Sequence, residues 1–136
     1  MAYDRNKYLI ENYGITAVEY AERAMLQGGA CKCCGQIPTG RDLHVDHDHR
    51  VAKTKIKSVE FVPGLWRAFT LSFNQTFEGP DKLAVVEMMR MWLLKKSVRG
   101  LLCWKCNEGL RSFKNNAEVL RTAANYMDEF AATLVT

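Results

Sequence analysis

The chain has 136 residues, 48% of them hydrophobic and 25% charged, with nineteen Lys and Arg against fifteen Asp and Glu for a net charge of +4. That is enough chain for one self-sufficient core and too apolar for global disorder, while no apolar run is long enough to span a bilayer. The positive charge is uneven. Residues 50–97 carry nine basic and four acidic side chains, a modest excess that suits either phosphates or a plain solvated face.

A single domain over residues 1–136 is expected. Met1 to Arg5 form no apolar signal core, so a cytoplasmic location is expected, with the five cysteines kept reduced.

Residues 4–12 read as a short helix stopped near Gly14. Thr16 and Glu19 fit a capping box that opens a second helix, in which each side chain satisfies a backbone N–H near the helix start. Val18, Ala21, Met25 and Leu26 are its expected apolar stripe, and Gly28-Gly29 ends it, so a helical lead-in covers residues 4–29. Cys31 to Gly35 reads as a tight turn, Pro38-Thr39-Gly40 as another, and Leu43 to His49 as a strand. Residues 55–62 and 66–73 read as a hairpin around Pro63-Gly64. Gly79-Pro80-Asp81 opens a helix to about Lys96 that is apolar on most of its circumference, which predicts burial on more than one side. Val98 to Leu102 reads as a short strand and Cys103 to Arg111 as a helix. Asn115 and Glu118 suggest the cap of a final helix over residues 115–134, with Val119, Leu120, Ala123, Ala124, Met127 and Phe130 facing inward.

Two Cys-x-x-Cys pairs stand out, Cys31/Cys34 and Cys103/Cys106, with Cys33 left outside. Two such turns complete the tetrahedral thiolate set that Zn²⁺ accepts without strain, and their distance in sequence is no obstacle. The alternatives are buried thiols or a redox dithiol, and the second lacks a surrounding βαβ pattern. His44-Val45-Asp46-His47-Asp48-His49 holds every histidine of the chain. Such a cluster is a set of ligands, an acid/base apparatus or a solvated edge. Strict alternation puts Asp46 and Asp48 on one face and His47 and His49 on the other, so Asp46 and His47 can act together only if the strand bends, bulges or ends there.

Taken together, Cys31-x-x-Cys34-Gly35, Val45-Asp46-His47-Asp48-His49 and Arg99-Gly100-Leu101-Leu102-Cys103-x-x-Cys106-Asn107-x-Gly109-Leu110 resemble the recombination endonuclease VII family. That family belongs to the His-Me finger (ββα-metal, HNH-type) nucleases and is common in phages. The segment from Tyr13-Gly14-Ile15-Thr16 to Gly28-Gly29-Ala30 is similar to its helical lead-in. The resemblance implies an α+β fold: a small zinc-stapled ββα-metal core with flanking helices. It implies a metal-dependent DNA endonuclease that nicks DNA or cleaves particular DNA structures. Asp46 and Asn107 would hold a catalytic Mg²⁺ or Mn²⁺, His47 would be the general base, and His49 would sit against the scissile phosphate or the leaving oxygen. Cys31, Cys34, Cys103 and Cys106 would bind the structural zinc.

Family members usually join the two core strands by a short loop, whereas here residues 50–97 intervene. A structureless loop of that length is implausible, so a folded insertion is expected. It could enlarge the core as a lid, grip DNA through Lys53, Lys55, Lys57 and Arg67, or form a homodimer through residues 81–94. Arg99 would contact a phosphate or close a salt bridge at the strand edge, and Trp104 would shield the zinc or stack on a base. The competing function is a non-catalytic zinc-finger module that binds nucleic acid or protein. It explains the cysteines but leaves Asp46, His47 and Asn107 idle, and a metal-sensing role for the His/Asp cluster leaves Asn107 idle as well.

Overall fold

The computed structural model describes residues 2–52 and 82–135. The expected hairpin over residues 55–73, and Lys53, Lys55, Lys57 and Arg67, lie outside the described residues.

Helix α1 spans Arg5–Tyr13. Asp4 caps its start by accepting from the Lys7 amide, and Gly14 closes it in the left-handed conformation, with φ 68°. Glycine is required there twice over. The φ is costly for any residue with a Cβ, and a Cβ would lie 2.8 Å from both the Lys95 nitrogen and the Met91 carbonyl oxygen. Helix α2 spans Ala17–Leu26 and opens with the expected capping box between Thr16 and Glu19.

The inward face of α2 is not the one the apolar pattern suggested. Val18, Met25 and Leu26 are 67%, 79% and 88% exposed. Ala17, Tyr20 and Ala24 pack against the core instead. Two alanines let the helix approach closely, and the Tyr20 hydroxyl, which donates to the Leu43 carbonyl at 2.6 Å, supplies the polar contact a half-buried tyrosine needs.

Strand β1, His44–His47, pairs antiparallel with β2, Val98–Leu102. β1 is shorter than expected, because His49 already begins the one-turn helix α3, His49–Ala52. Helix α4, Lys82–Ser97, runs directly into β2 and packs on α1 and α3. It buries Met89 and Leu93, two residues of the stretch 81–94 read as a homodimer surface, within its own chain.

Helix α5, Trp104–Ser112, follows β2 with Cys103 at its N-cap position. Helix α6, Ala117–Thr133, is capped by Asn116, one residue later than expected, with Glu118 in its first turn. Its apolar stripe does not face inward. Val119, Met127 and Phe130 are 44%, 69% and 65% exposed. A period of 3.6 specifies a face but not what covers it.

The core sits where α1, α2 and the sheet meet, around Leu9, Ile15, Cys31, Leu43, Val45, Leu101 and Leu102. The Gln27 side chain acts as an extra strand residue there. Its carboxamide accepts from the Leu101 amide at 3.1 Å and donates to the Leu101 carbonyl at 2.9 Å, and the Lys32 amide donates to the same carbonyl at 3.1 Å. The first cysteine turn is thereby tied to β2. Among the described residues no helix is long and apolar enough to cross a membrane.

Candidate active site

Cys31, Cys34, Cys103 and Cys106 converge, their sulfurs all within 4.8 Å of one another. With Zn–S distances of about 2.3 Å, a zinc tetrahedron has S···S edges of roughly 3.8 Å, and the Cys34 and Cys103 sulfurs are 3.9 Å apart. The fifth cysteine, Cys33, is exposed and free of the group. Its amide points back at the Cys31 sulfur, at 3.4 Å.

Burial pushes the Cys31 thiol up, but the backbone amides of Cys34, Cys103 and Cys33 together carry it down to about 6. Cys106 is driven the other way, by burial and then by the thiols of Cys103 and Cys34. Four thiols this close ionise together only around a cation, and the donor set is that of a closed structural zinc site. These residues are placed to hold a metal ion.

The histidine-rich strand leads to a second place. Asp46 pairs with Gly100 but His47 pairs with Val98, so the register slips between them and Arg99 is the extra residue of a bulge in β2. The irregularity falls between Asp46 and His47, with the extra residue on β2, while β1 itself ends at His47. A cleft of about 310 Å³ is lined by Tyr13, His44, Asp46, His47, His49 and Asn107, and also by Glu108, Arg111 and Asn115. All four residues expected to do chemistry, Asp46, His47, His49 and Asn107, therefore share one cleft. Asn107 gets there because it follows Cys106 in the first turns of α5, its amide donating to the Cys103 carbonyl at 3.0 Å.

The rings of His47 and His49 lie 4.3 Å apart between centroids with their planes tilted by 53°, and Tyr13 lies edge-on to His47 at 5.2 Å. Burial lowers the pKa of His47 below the ordinary imidazole value, and the neighbouring His49 lowers it further. His47 is thus neutral near pH 7, able to accept a proton. Tyr13 is held well above the usual phenol range by burial and by Tyr8, so it stays protonated.

Asp46 is the one buried carboxylate among the described residues, 7% exposed. Arg99 grips it in a fork, Nε to one carboxylate oxygen and Nη2 to the other, both at 2.8 Å, and also donates to the Asn115 side-chain oxygen at 2.8 Å. Of the two roles open to Arg99 in the sequence, this geometry is the salt bridge. Asp48 pairs with Arg50 instead, its Oδ1 accepting from the Arg50 amide at 2.9 Å.

Asp46 and Asn107 both line the cleft and offer hard oxygen donors, the donor type that Mg²⁺ or Mn²⁺ takes. In that respect the residues fit such an ion.

Tyr13 and Asn115, which line the cleft, were not legible as site residues. Tyr13 arrives with the lead-in helix. Asn115 reaches the cleft from a turn in which Lys114 and Asn115 have φ 54° and 56°, a conformation asparagine tolerates better than most residues.

No curated protein matches the chain, and neither does any solved structure. A family model described as recombination endonuclease VII matches residues 6–129. That span takes in both cysteine pairs, the histidine-rich strand, the bulge and Asn107, and the chain belongs to the recombination endonuclease VII family.

Proposed function

We propose that the protein is a DNA endonuclease of the His-Me finger (HNH-type) class that hydrolyses phosphodiester bonds with the help of a divalent cation. The observation that carries this reading is the shared cleft of Asp46, His47, His49 and Asn107 beside the four-thiol cluster. A binding module that used only the cysteines has no need of a neutral, half-buried histidine next to an asparagine and a buried carboxylate.

In this reading the two cysteine turns bind one structural zinc, which fixes the start of α5 and with it Asn107. Asp46 and Asn107 would hold Mg²⁺ or Mn²⁺. Such an ion supplies charge stabilisation for the crowded phosphate and the departing 3′ oxygen.

The remaining work falls to side chains of the chain itself. His47 takes the proton from the attacking water at its free ring nitrogen, a contribution of roughly 10²–10⁴-fold. Tyr13 packs edge-on against the His47 ring and limits its rotation. His49 stands beside the base, where it faces a phosphate oxygen or the leaving group. Lys53, Lys55, Lys57 and Arg67 supply further backbone contacts from the insertion 50–97, since phosphate contacts position DNA without reading its sequence. A homodimer through residues 81–94 would use the side of α4 that carries Met88, Met91 and Trp92 along a groove.

The test is relaxation of supercoiled plasmid by the purified full chain, with and without added Mg²⁺ or Mn²⁺. Open-circle product that needs the cation is expected. Intact plasmid under both cations, with the zinc site filled, overturns the reading.

A further inference from the structure

Asp46 is buried, and a buried carboxylate is tolerated only with a counter-charge and hydrogen bonds to both oxygens. Arg99 provides both. Its side-on fork engages each carboxylate oxygen at 2.8 Å, the geometry in which an arginine–carboxylate pair is strongest. The fork is possible because Arg99 is the unpaired residue of the bulge, which re-aims its side chain onto the face that carries Asp46. The Asn115 side-chain oxygen accepts from the same Nη2 that donates to Asp46, at 2.8 Å.

The carboxylate that the nuclease reading gives to a divalent cation is therefore already engaged by a cation of the chain's own. A second cleft, of about 460 Å³, adjoins the first and shares His49 and Asn115 with it. Its charged lining is Arg99, Arg50 and Lys114 together with Asp48 and Glu118. The Arg99 side chain is 36% exposed, so the guanidinium borders this cleft as well as contacting Asp46.

We propose that Arg99 is an internal counter-ion that competes with the divalent cation for Asp46, and that a DNA phosphate entering the second cleft draws it away. Resting on the nuclease reading, this makes cation binding and DNA binding mutually dependent. With DNA absent, Arg99 holds Asp46 and the cation binds weakly. With DNA present, the guanidinium moves to a phosphate oxygen and Asp46 is released. Because coupling between two ligands is reciprocal, the cation tightens DNA binding by the same factor as DNA tightens cation binding. The free protein would thereby hold little of the cation that arms it.

The experiment measures Mn²⁺ affinity by electron paramagnetic resonance of free Mn²⁺. It uses the zinc-loaded full chain with His47→Ala as background, so that DNA stays intact. Titrations are run with and without a short DNA duplex, for that protein and for versions that add Arg99→Gln or Asp46→Asn. Without DNA, Arg99→Gln is expected to bind Mn²⁺ about tenfold more tightly or better, a difference typical of coupling energies of 1–3 kcal/mol. DNA is expected to strengthen Mn²⁺ binding in the Arg99 protein and to have little such effect on Arg99→Gln.

Mn²⁺ affinity that is unchanged or weaker in Arg99→Gln overturns the competition, provided Asp46→Asn lowers it. If Asp46→Asn leaves Mn²⁺ affinity unchanged, the cation does not use Asp46 and the nuclease metal assignment fails with the proposal. A second readout needs no substitution at Arg99. In the protein with native Arg99, the Arg99 Nε–H nuclear magnetic resonance signal should shift when Mg²⁺ and the duplex are added together. A signal that stays in place overturns the proposal even if Arg99→Gln does not fold.

Discussion

In the proposed nuclease, His47 would owe its readiness as a base to its surroundings. Burial is the larger influence and the His49 ring the next, and both disfavour the imidazolium. A base of depressed pKa is in its working form over a wider range on the acid side. Activity should therefore rise with pH along a limb whose midpoint lies below the ordinary imidazole value of about 6.5, and level off before neutrality. Replacing His49 with Gln removes the repulsion but leaves the burial, so the midpoint should move up in pH. A pH–rate profile of both proteins checks this, and a limb in the variant that moves down contradicts it. The same shift bears on stability. The unfolded chain binds the His47 proton more readily than the folded one, so stability falls as pH drops from about 6.5 through the lowered pKa.

Among the elements, the junction of α1 with α4 is the most tightly specified. The space at Gly14 is closed by backbone atoms of α4 that cannot swing away. Gly14→Ala forces a left-handed Cβ into that wall and should cost about 2 kcal/mol or more, read as a fall in Tm of several degrees. An unchanged Tm would mean that α1 and α4 do not meet as described.

The two cysteine turns hold β2, α5 and the first turn together. Their metal should be zinc at one per chain. Its removal by a chelator, or Cys31→Ser, should release Asn107 from the cleft and abolish cleavage together with part of the circular dichroism signal. Retention of cleavage and fold in a zinc-free preparation contradicts the clamp. Helix α6 shows the opposite situation, since its exposed Val119, Met127 and Phe130 carry none of the core.

Across the molecule, the chemistry was more legible than the packing. Thiolate spacing is set by metal geometry, so Cys31, Cys34, Cys103 and Cys106 could be singled out from 72 intervening positions of unrelated sequence. Alternation in a strand is a strict rule, so placing Asp46 and His47 at one site demanded that β1 bend, bulge or end; β1 ends at His47, and the register slips beside it through an extra residue on β2. Burial of a helix face follows no such rule. The stripes on α2 and α6 look alike in sequence to core stripes, and only the neighbours available decide whether they are covered. The partner of Arg99 was open for a related reason: a bulge redirects one side chain, and nothing in Val98-Arg99-Gly100 says which residue is unpaired.

The measurement that bears most directly on the whole account is the single-turnover cleavage rate of end-labelled DNA with saturating Mg²⁺ or Mn²⁺, compared between the zinc-loaded chain and its His47→Ala variant. The account predicts a fall of roughly 10²–10⁴-fold with zinc content and circular dichroism unchanged. Equal rates in the two proteins would contradict it.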